Sequence, residues 1–485
     1  MRALFPRFPC RRIGLNLGVS RPVRRVLDYT LPICMIGTLM ALTADSELGQ
    51  WMARPALLLY LLVQWPRQGV LARSLQRVGL IGAALIALWH DDPLPILIEA
   101  LDRFCFFATF VSSLALLRVS AMRSRLVRQA GQVLIRQRPT WRYPTLTLGA
   151  TLFGVIINIG VINLFTAMVQ RSNSLKAAGG NIQVQRVRER RMMLSLLRGF
   201  ALAPLVSPLG VTMAVILSNM PSLRWSTLAP VAFPTAAIVF LVGWALDWGT
   251  RPRGLKAPPS RPASLTPLFR FTLLAGAITL AVFAINLLAG VRLPVAVLIA
   301  CPLSALTWLA LQRRRLGGGM GIRRAVALVN RHARLIFGAN RNEIAVLGGS
   351  AFLGTLIIPL VDRDTLSSAL LGTGLYGPSA AAMALLVVLA LAQLGLNPIV
   401  SVTLIAGLFA DTHVIGLEPA VLAVALMSAW SLAMISSPFT ASMMVLSQLI
   451  GRSPYAIAWR WDGLFFALLL PIIIAWLFAL NHLLA

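Results

Sequence analysis

Two asparagines and two Ser-Pro pairs stand inside otherwise apolar runs, in the same order in each half of the chain. The first set is Ile162-Asn163-Leu164-Phe165-Thr166, followed about forty residues later by Val206-Ser207-Pro208-Leu209. The second is Leu396-Asn397-Pro398-Ile399-Val400-Ser401, followed at a similar distance by Ser436-Ser437-Pro438-Phe439. Beyond each proline the pattern keeps step, with Thr212-Met213 in one half and Thr440, then Ser442-Met443, in the other. Proline removes a backbone donor and breaks a helix. A break at mid-membrane leaves free N–H groups at the start of one half-helix and free carbonyls at the end of the other. The N–H ends favour an anion such as a carboxylate, and the carbonyl ends favour a cation. An asparagine amide donates and accepts at once, so Asn163 and Asn397 suit a site that holds both. Candidate ligands beside them are Thr166, Ser207, Thr212, Ser401, Ser436, Ser437, Thr440 and Ser442, with Pro208 as the break. One Ser-Pro in a transmembrane helix is usually a structural kink. Two, each a similar distance beyond an Asn in an over-long apolar run, point to repeats with a binding site where they meet.

Other chemistry-bearing groups are few. Glu99, Asp102 and Arg103 fall in one apolar run, near enough to its end to pair or sit at an interface. Asp247, between Trp244 and Trp248, reads as interfacial, and Asp411, His413 and Glu418 lie just past the second over-long run. Ionisable groups at membrane depth are functional candidates, which makes Asp411 and His413 the candidates for proton coupling. No nucleophile–base constellation or metal-ligand spacing is present. Gly317-Gly318-Gly319 lacks the Lys-Ser/Thr of a phosphate loop and reads as a flexible turn. The cysteines Cys10, Cys34, Cys105 and Cys301 are scattered, without metal spacing or a disulfide framework. The expectation is a non-enzyme without cofactor or metal, whose only small ion is a coupling Na+ or H+.

The elements that position these residues follow from composition. Of 485 residues 58% are hydrophobic and 12% charged, against about 25% charge in soluble domains. Runs such as 227–246, 271–291 and 463–481 reach the roughly 20 residues that cross a hydrocarbon core. The expected class is an all-α polytopic membrane protein. The net charge of +29 resides almost wholly in Arg, Lys176 and Lys256 being the only lysines. Those arginines cluster between apolar runs, as the positive-inside rule requires, so nucleic acid is not an expected partner. The first 25 residues carry seven Arg and no acid. They read as a cytoplasmic flank; the competing reading, a transit peptide, lacks a small-residue cleavage site.

Walking from a cytoplasmic N-terminus gives helices at about 28–46, 54–66, 77–90 and 94–117, with acidic links outside and Arg118–Arg142 inside. If 144–170 crossed, the cluster from Arg171 to Arg198 would lie outside, against the rule. A re-entrant hairpin with its tip near Asn158–Asn163 removes the conflict, and such backbone needs protein or a wet cavity around it. Helices at about 199–220 and 227–247 follow. A Pro/Ser-rich cytoplasmic linker, 251–268, then separates the halves. Helices at about 271–291, 293–312 and 343–361 come next, with a basic stretch at 313–341 on the inner surface. The run 376–410 has acidic flanks and reads as a second hairpin from outside; helices at 419–450 and 463–483 complete the chain. Eleven helices and two hairpins result: a basic tail (1–27), an extra first helix (28–50), and an inverted pair of repeats (51–250 and 269–485). In this scheme Arg54, Arg224, Arg292 and Arg363 are the basic residues left outside.

From about residue 50 to its end, this arrangement resembles the ion transporter superfamily, which includes divalent anion/sodium symporters, arsenite and citrate carriers and the large membrane subunits of TRAP transporters. The resemblance implies an inverted repeat of five helices and one hairpin, a site at hairpin tips and interrupted helices, and an elevator-like movement. The symporters carry Ser-Asn-Thr at both tips. Here the tips read Ile162-Asn163-Leu164 and Leu396-Asn397-Pro398, so only Asn carries over. The expected function is secondary active transport of a small organic, carboxylate-like anion, coupled to a cation gradient, in a bacterial inner membrane with the C-terminus outside. The alternatives are a membrane subunit of a multi-component, TRAP-like transporter and a membrane enzyme of glycan or lipid metabolism. The expected partners are the lipid bilayer and a small anionic solute; a homodimer and an accessory subunit remain open.

Overall fold

The computed structural model describes residues 29–251, 264–312, 318–361, 372, 375–409 and 416–484. The basic tail, most of the linker, Arg363, and the proton-coupling candidates Asp411 and His413 lie outside the described residues. The chain is an all-α, multi-pass membrane protein, with nine helices among the described residues long and apolar enough to cross a bilayer.

The order begins with α1 (Thr30–Ala44) and α2 (Glu47–Gln64), an antiparallel pair. They meet so closely at Gly37 and Gly49 that a Cβ on either would lie 2.6 Å from the other's carbonyl oxygen, the small-residue contact that helices in lipid use. Of the eleven expected helices these two are absent from the nine: α1 has 15 residues, and α2 carries Glu47 and Arg54. Next come α3 (Val70–Trp89), α4 (Pro93–Arg123) and the short amphipathic α5 (Arg125–Ile135). Arg73 and Arg77 lie in the first turns of α3 rather than in a loop, since arginine stems can extend a helix beyond the apolar core.

The run 144–170 is a helical hairpin, α6 (Arg142–Ile157) and α7 (Gly160–Ser172). The basic segment after it is helical as well: α8 (Ile182–Ala201) starts where the Asn181 side chain accepts from the N–H groups of Gln183 and Val184. Three pieces, α8, α9 (Ala203–Val206) and α10 (Val211–Asn219), form one interrupted span, and α11 (Trp225–Gly249) closes the half.

The second half runs α12 (Thr266–Leu288), α13 (Leu293–Leu311), α14 (Gly318–Ala339) and α15 (Arg341–Ile357). A second hairpin follows, α16 (Pro378–Gln393) and α17 (Pro398–Leu408), then a second interrupted span, α18 (Pro419–Ser436) with α19 (Ala441–Ile450), and last α20 (Gly463–Leu484). Each over-long run is thus two helices joined by a short turn, and each is followed by a helix that stops at Ser-Pro.

Two helices organise the packing. α4 holds α1, α13 and α15, while α18, buried along its whole span, holds α9, α11, α16 and α20. α17 lies between, against α15 on one side and α10 and α18 on the other. The halves are tied by a buried ion pair: Arg198 on α8 donates to Asp462 Oδ1 from Nε at 2.9 Å and from a terminal nitrogen at 2.6 Å. Its guanidinium lies 4.1 Å from the centre of the Phe465 ring. Asp247 pairs with Arg191 at 2.5 Å, and Asp102 with Arg54 at 2.7 Å.

Candidate functional site

Each over-long run turns at its middle. In the first, the turn falls on Asn158, with φ 54° and ψ −141°, a backbone conformation that suits glycine and strains a residue with a Cβ. In the second, Gly395 takes the positive φ, 96°, and Asn397 starts α17 by accepting the Ile399 N–H on its side chain at 3.0 Å. At the breaks, Pro208 and Pro438 cannot continue their helices, and Ser207 and Ser437 lie in extended backbone with ψ of 112° and 126°.

These four features surround one cavity of about 430 Å³. Its wall takes Asn158 and Ile159 from the first tip, Ser207 and Leu209–Thr212 from the first break, Asn397–Ile399 from the second tip and Phe439–Ser442 from the second break. The helices α7, α10, α17 and α19 all begin at this wall. A helix start carries N–H groups without intrahelical acceptors and about half a positive charge. Four starts thus point at one space, which also holds the Glu343 carboxylate. The opposing carbonyl ends are partly occupied: Ser437 Oγ donates to Ala392 O at 2.7 Å and Ser442 Oγ to Met434 O at 3.1 Å. Phe200, Trp430 and Met434 supply apolar wall, which suits a guest with a non-polar body.

The residues marked by sequence divide into two sets. Ser207, Thr212, Asn397, Thr440 and Ser442 line the cavity. Among the described residues Ser207 Oγ is buried without a partner, whereas Thr440 Oγ1 donates to Ser437 O at 3.1 Å. Asn163 does not line it; it is exposed, near the start of α7. Thr166 is buried against Met193 Sδ at 3.7 Å, where it packs α7 on α8. Ser401 donates to Pro398 O at 3.3 Å, and Ser436 accepts from Gln393 Nε2 at 3.2 Å. Pro208 and Ser437 shape the breaks from behind the wall.

Sequence reasoning missed several wall residues. Asn158 had a usable signal, since it sits at the centre of the run 144–170. Gly69, Asn342 and Glu343 had none: they lie at the starts of α3 and α15, and Asn342 Oδ1 accepts the Gly69 N–H at 2.9 Å. Glu343 is the one acid on the wall, 3.9 Å from Arg118, which also donates to Asn340 Oδ1.

No family model matches the sequence, and no curated protein matches it either. Among solved structures the chain is similar to Neisseria gonorrhoeae MtrF, of a class of antimetabolite efflux pumps, at 12% identity and a TM-score of 0.49, covering 81% of this chain and 86% of that one. It is also similar to the Alcanivorax borkumensis YdaH transporter at 16% identity and a TM-score of 0.49, covering 86% of this chain and 97% of the other.

Proposed function

We propose that the chain is a secondary active transporter of a small organic anion, coupled to a cation gradient, with alternating access to a site between its repeats. The observation that carries this reading is the meeting of four helix starts at one cavity, between two hairpin tips and two Ser-Pro breaks. Such a cavity holds negative charge without a metal or a basic side chain, because the backbone supplies the donors. Its apolar wall and volume suit a carboxylate on a compact non-polar body. The inner-membrane placement, the inside N-terminus and the kinship with the ion transporter superfamily belong to the same proposal. They rest on the arginine distribution and on the pair of hairpins facing interrupted helices.

The test is transport by the full chain in proteoliposomes, with a panel of organic monocarboxylates and dicarboxylates, with and without a sodium gradient and at two pH values. Gradient-dependent movement of at least one anion, competed by others of its class, is the expected result. Movement of no anion under any gradient, together with no thermal stabilisation by any of them, would contradict the reading.

A further inference from the structure

A second concave site lies away from the cavity, where α8 begins and the turn between α19 and α20 passes it. This pocket, of about 240 Å³, is lined by Arg186, Glu189, Arg190, Ile450, Arg452 and Trp461, with Val187. Arg190 donates to the carbonyls of Arg460 at 3.3 Å and Trp461 at 3.2 Å, and lies 5.9 Å from the Trp461 ring centre. Neither Arg186 nor Arg452 makes a side-chain hydrogen bond or ion pair among the described residues, and Glu189 pairs with none of the three arginines. Three guanidinium groups thus converge on one pocket against a single carboxylate.

The depth of the pocket indicates what fills it. The span α18–α19 ends at Ile450 and α20 starts at Gly463, so the pocket sits where apolar spans give way to polar chain. Beside it, Trp459, Tyr455 and Leu464 are exposed, as aromatic and apolar residues are at a headgroup boundary. A phosphate diester presents two charged oxygens that arginine forks bind in pairs, and its acyl chains would run along the exposed apolar side of α20. We propose that this pocket binds the phosphate headgroup of an anionic phospholipid of the inner leaflet. The lipid clamps α8 of the first half to the 451–462 segment of the second, which includes the π-helix Ala456–Trp461.

The test uses the full-length chain in neutral detergent, with lipid binding read by native mass spectrometry and by thermal unfolding. Phosphatidylglycerol should bind about tenfold or more tightly than phosphatidylcholine and raise Tm, while matched inorganic phosphate should not. The triple variant Arg186→Gln/Arg190→Gln/Arg452→Gln should lose that preference. Arg452→Gln alone, on an exposed turn, should weaken it several-fold without altering the fold. Arg125→Gln/Arg323→Gln/Arg331→Gln, which removes as many charges elsewhere, should keep it. Equal binding of the two lipids, an unchanged preference in the triple variant or in Arg452→Gln, the same loss in the control, or equal stabilisation by phosphate would each overturn the proposal.

Discussion

At the second break, Ser437 donates to Ala392 O and accepts the Phe439 N–H, Thr440 donates to Ser437 O, and Ser442 donates to Met434 O. At the first break Ser207, in the place of Ser437, is buried with its hydroxyl unpartnered among the described residues, and Gly210 stands where Thr440 does. Thr212, the counterpart of Ser442, has no hydrogen bond among the described residues. The tips differ the same way. Asn397 uses its carbonyl oxygen on its own helix, while Asn158 lines the cavity from a backbone conformation that glycine would hold with less strain. The second half uses its polar side chains to hold its own shape; at the first break Ser207 and Thr212 have no hydrogen-bond partner among the described residues. A buried hydroxyl without a partner is unfavourable in an empty protein, and a ligand that satisfies it gains accordingly. The two halves therefore predict different responses to the same substitution.

The largest effect should come from a fixed negative charge. Thr212→Asp puts a carboxylate on the wall at the first turn of α10, where it stabilises the helix by ~0.3–1 kcal/mol and repels a guest anion. Anion affinity should fall by ~100-fold or more, with Tm unchanged or raised. Ser442→Asp should block binding as strongly but lower Tm, because Ser442 also holds Met434 O. Equal Tm changes in the two variants, read by thermal unfolding, would remove the distinction between the halves.

Deleting the paired hydroxyls comes next. Ser437→Ala removes two hydrogen bonds, leaving Ala392 O with only backbone donors, among them the Gly395 N–H, and the Phe439 N–H without its side-chain acceptor, and should cost about 1–3 kcal/mol of stability. Ser207→Ala removes an unpartnered group; stability should hold while anion affinity drops ~5–10-fold. Calorimetric titration alongside unfolding separates the two outcomes.

The tips give a smaller contrast. Asn397→Ala loses the cap on α17, about 1 kcal/mol. Asn158→Gly relieves the positive φ, so the folded state should be as stable or more so, while affinity falls by roughly fivefold through loss of the amide. A fall in Tm with unchanged affinity would mean that Asn158 serves the turn alone. The smallest effect belongs to Asn163→Ala: an exposed residue outside the wall should change stability by less than about 0.5 kcal/mol and leave affinity unchanged.

That last variant marks where sequence reading stopped. The breaks were legible because Ser-Pro recurs at a similar distance beyond an Asn in each half, whereas Pro230, Pro234, Pro302 and Pro471 lie inside unbroken helices; both Ser-Pro pairs end a helix at the cavity. Asn397 was picked out because it stands in an over-long apolar run about forty residues before a Ser-Pro break. Asn163 was misleading: in the run 144–170 two asparagines compete, and what fixes the turn is the positive φ at the midpoint, which Asn158 occupies. Tolerance for that backbone is invisible in composition. Gly69, Asn342 and Glu343 reach the wall only because α3 and α15 pack on neighbouring sides of α4 and of each other. No local pattern announces such a juxtaposition. Trp430 and Phe200 look like any other apolar residue of a buried helix until the break beside them opens a space.

The central claim is that converging helix starts make this cavity attract anions, and one measurement reads that without knowing the substrate. With Cys10, Cys34, Cys105 and Cys301 replaced, Thr212→Cys places a thiol at the start of α10. Its rates of modification by a sulfonate-bearing and by a trimethylammonium-bearing thiosulfonate are each divided by the rate with a free thiol in solution. The account predicts that the normalised rate for the anionic reagent exceeds that for the cationic one by ~10-fold or more, and that the excess survives in Asn163→Ala. Equal rates, or a preference for the cationic reagent, would contradict it.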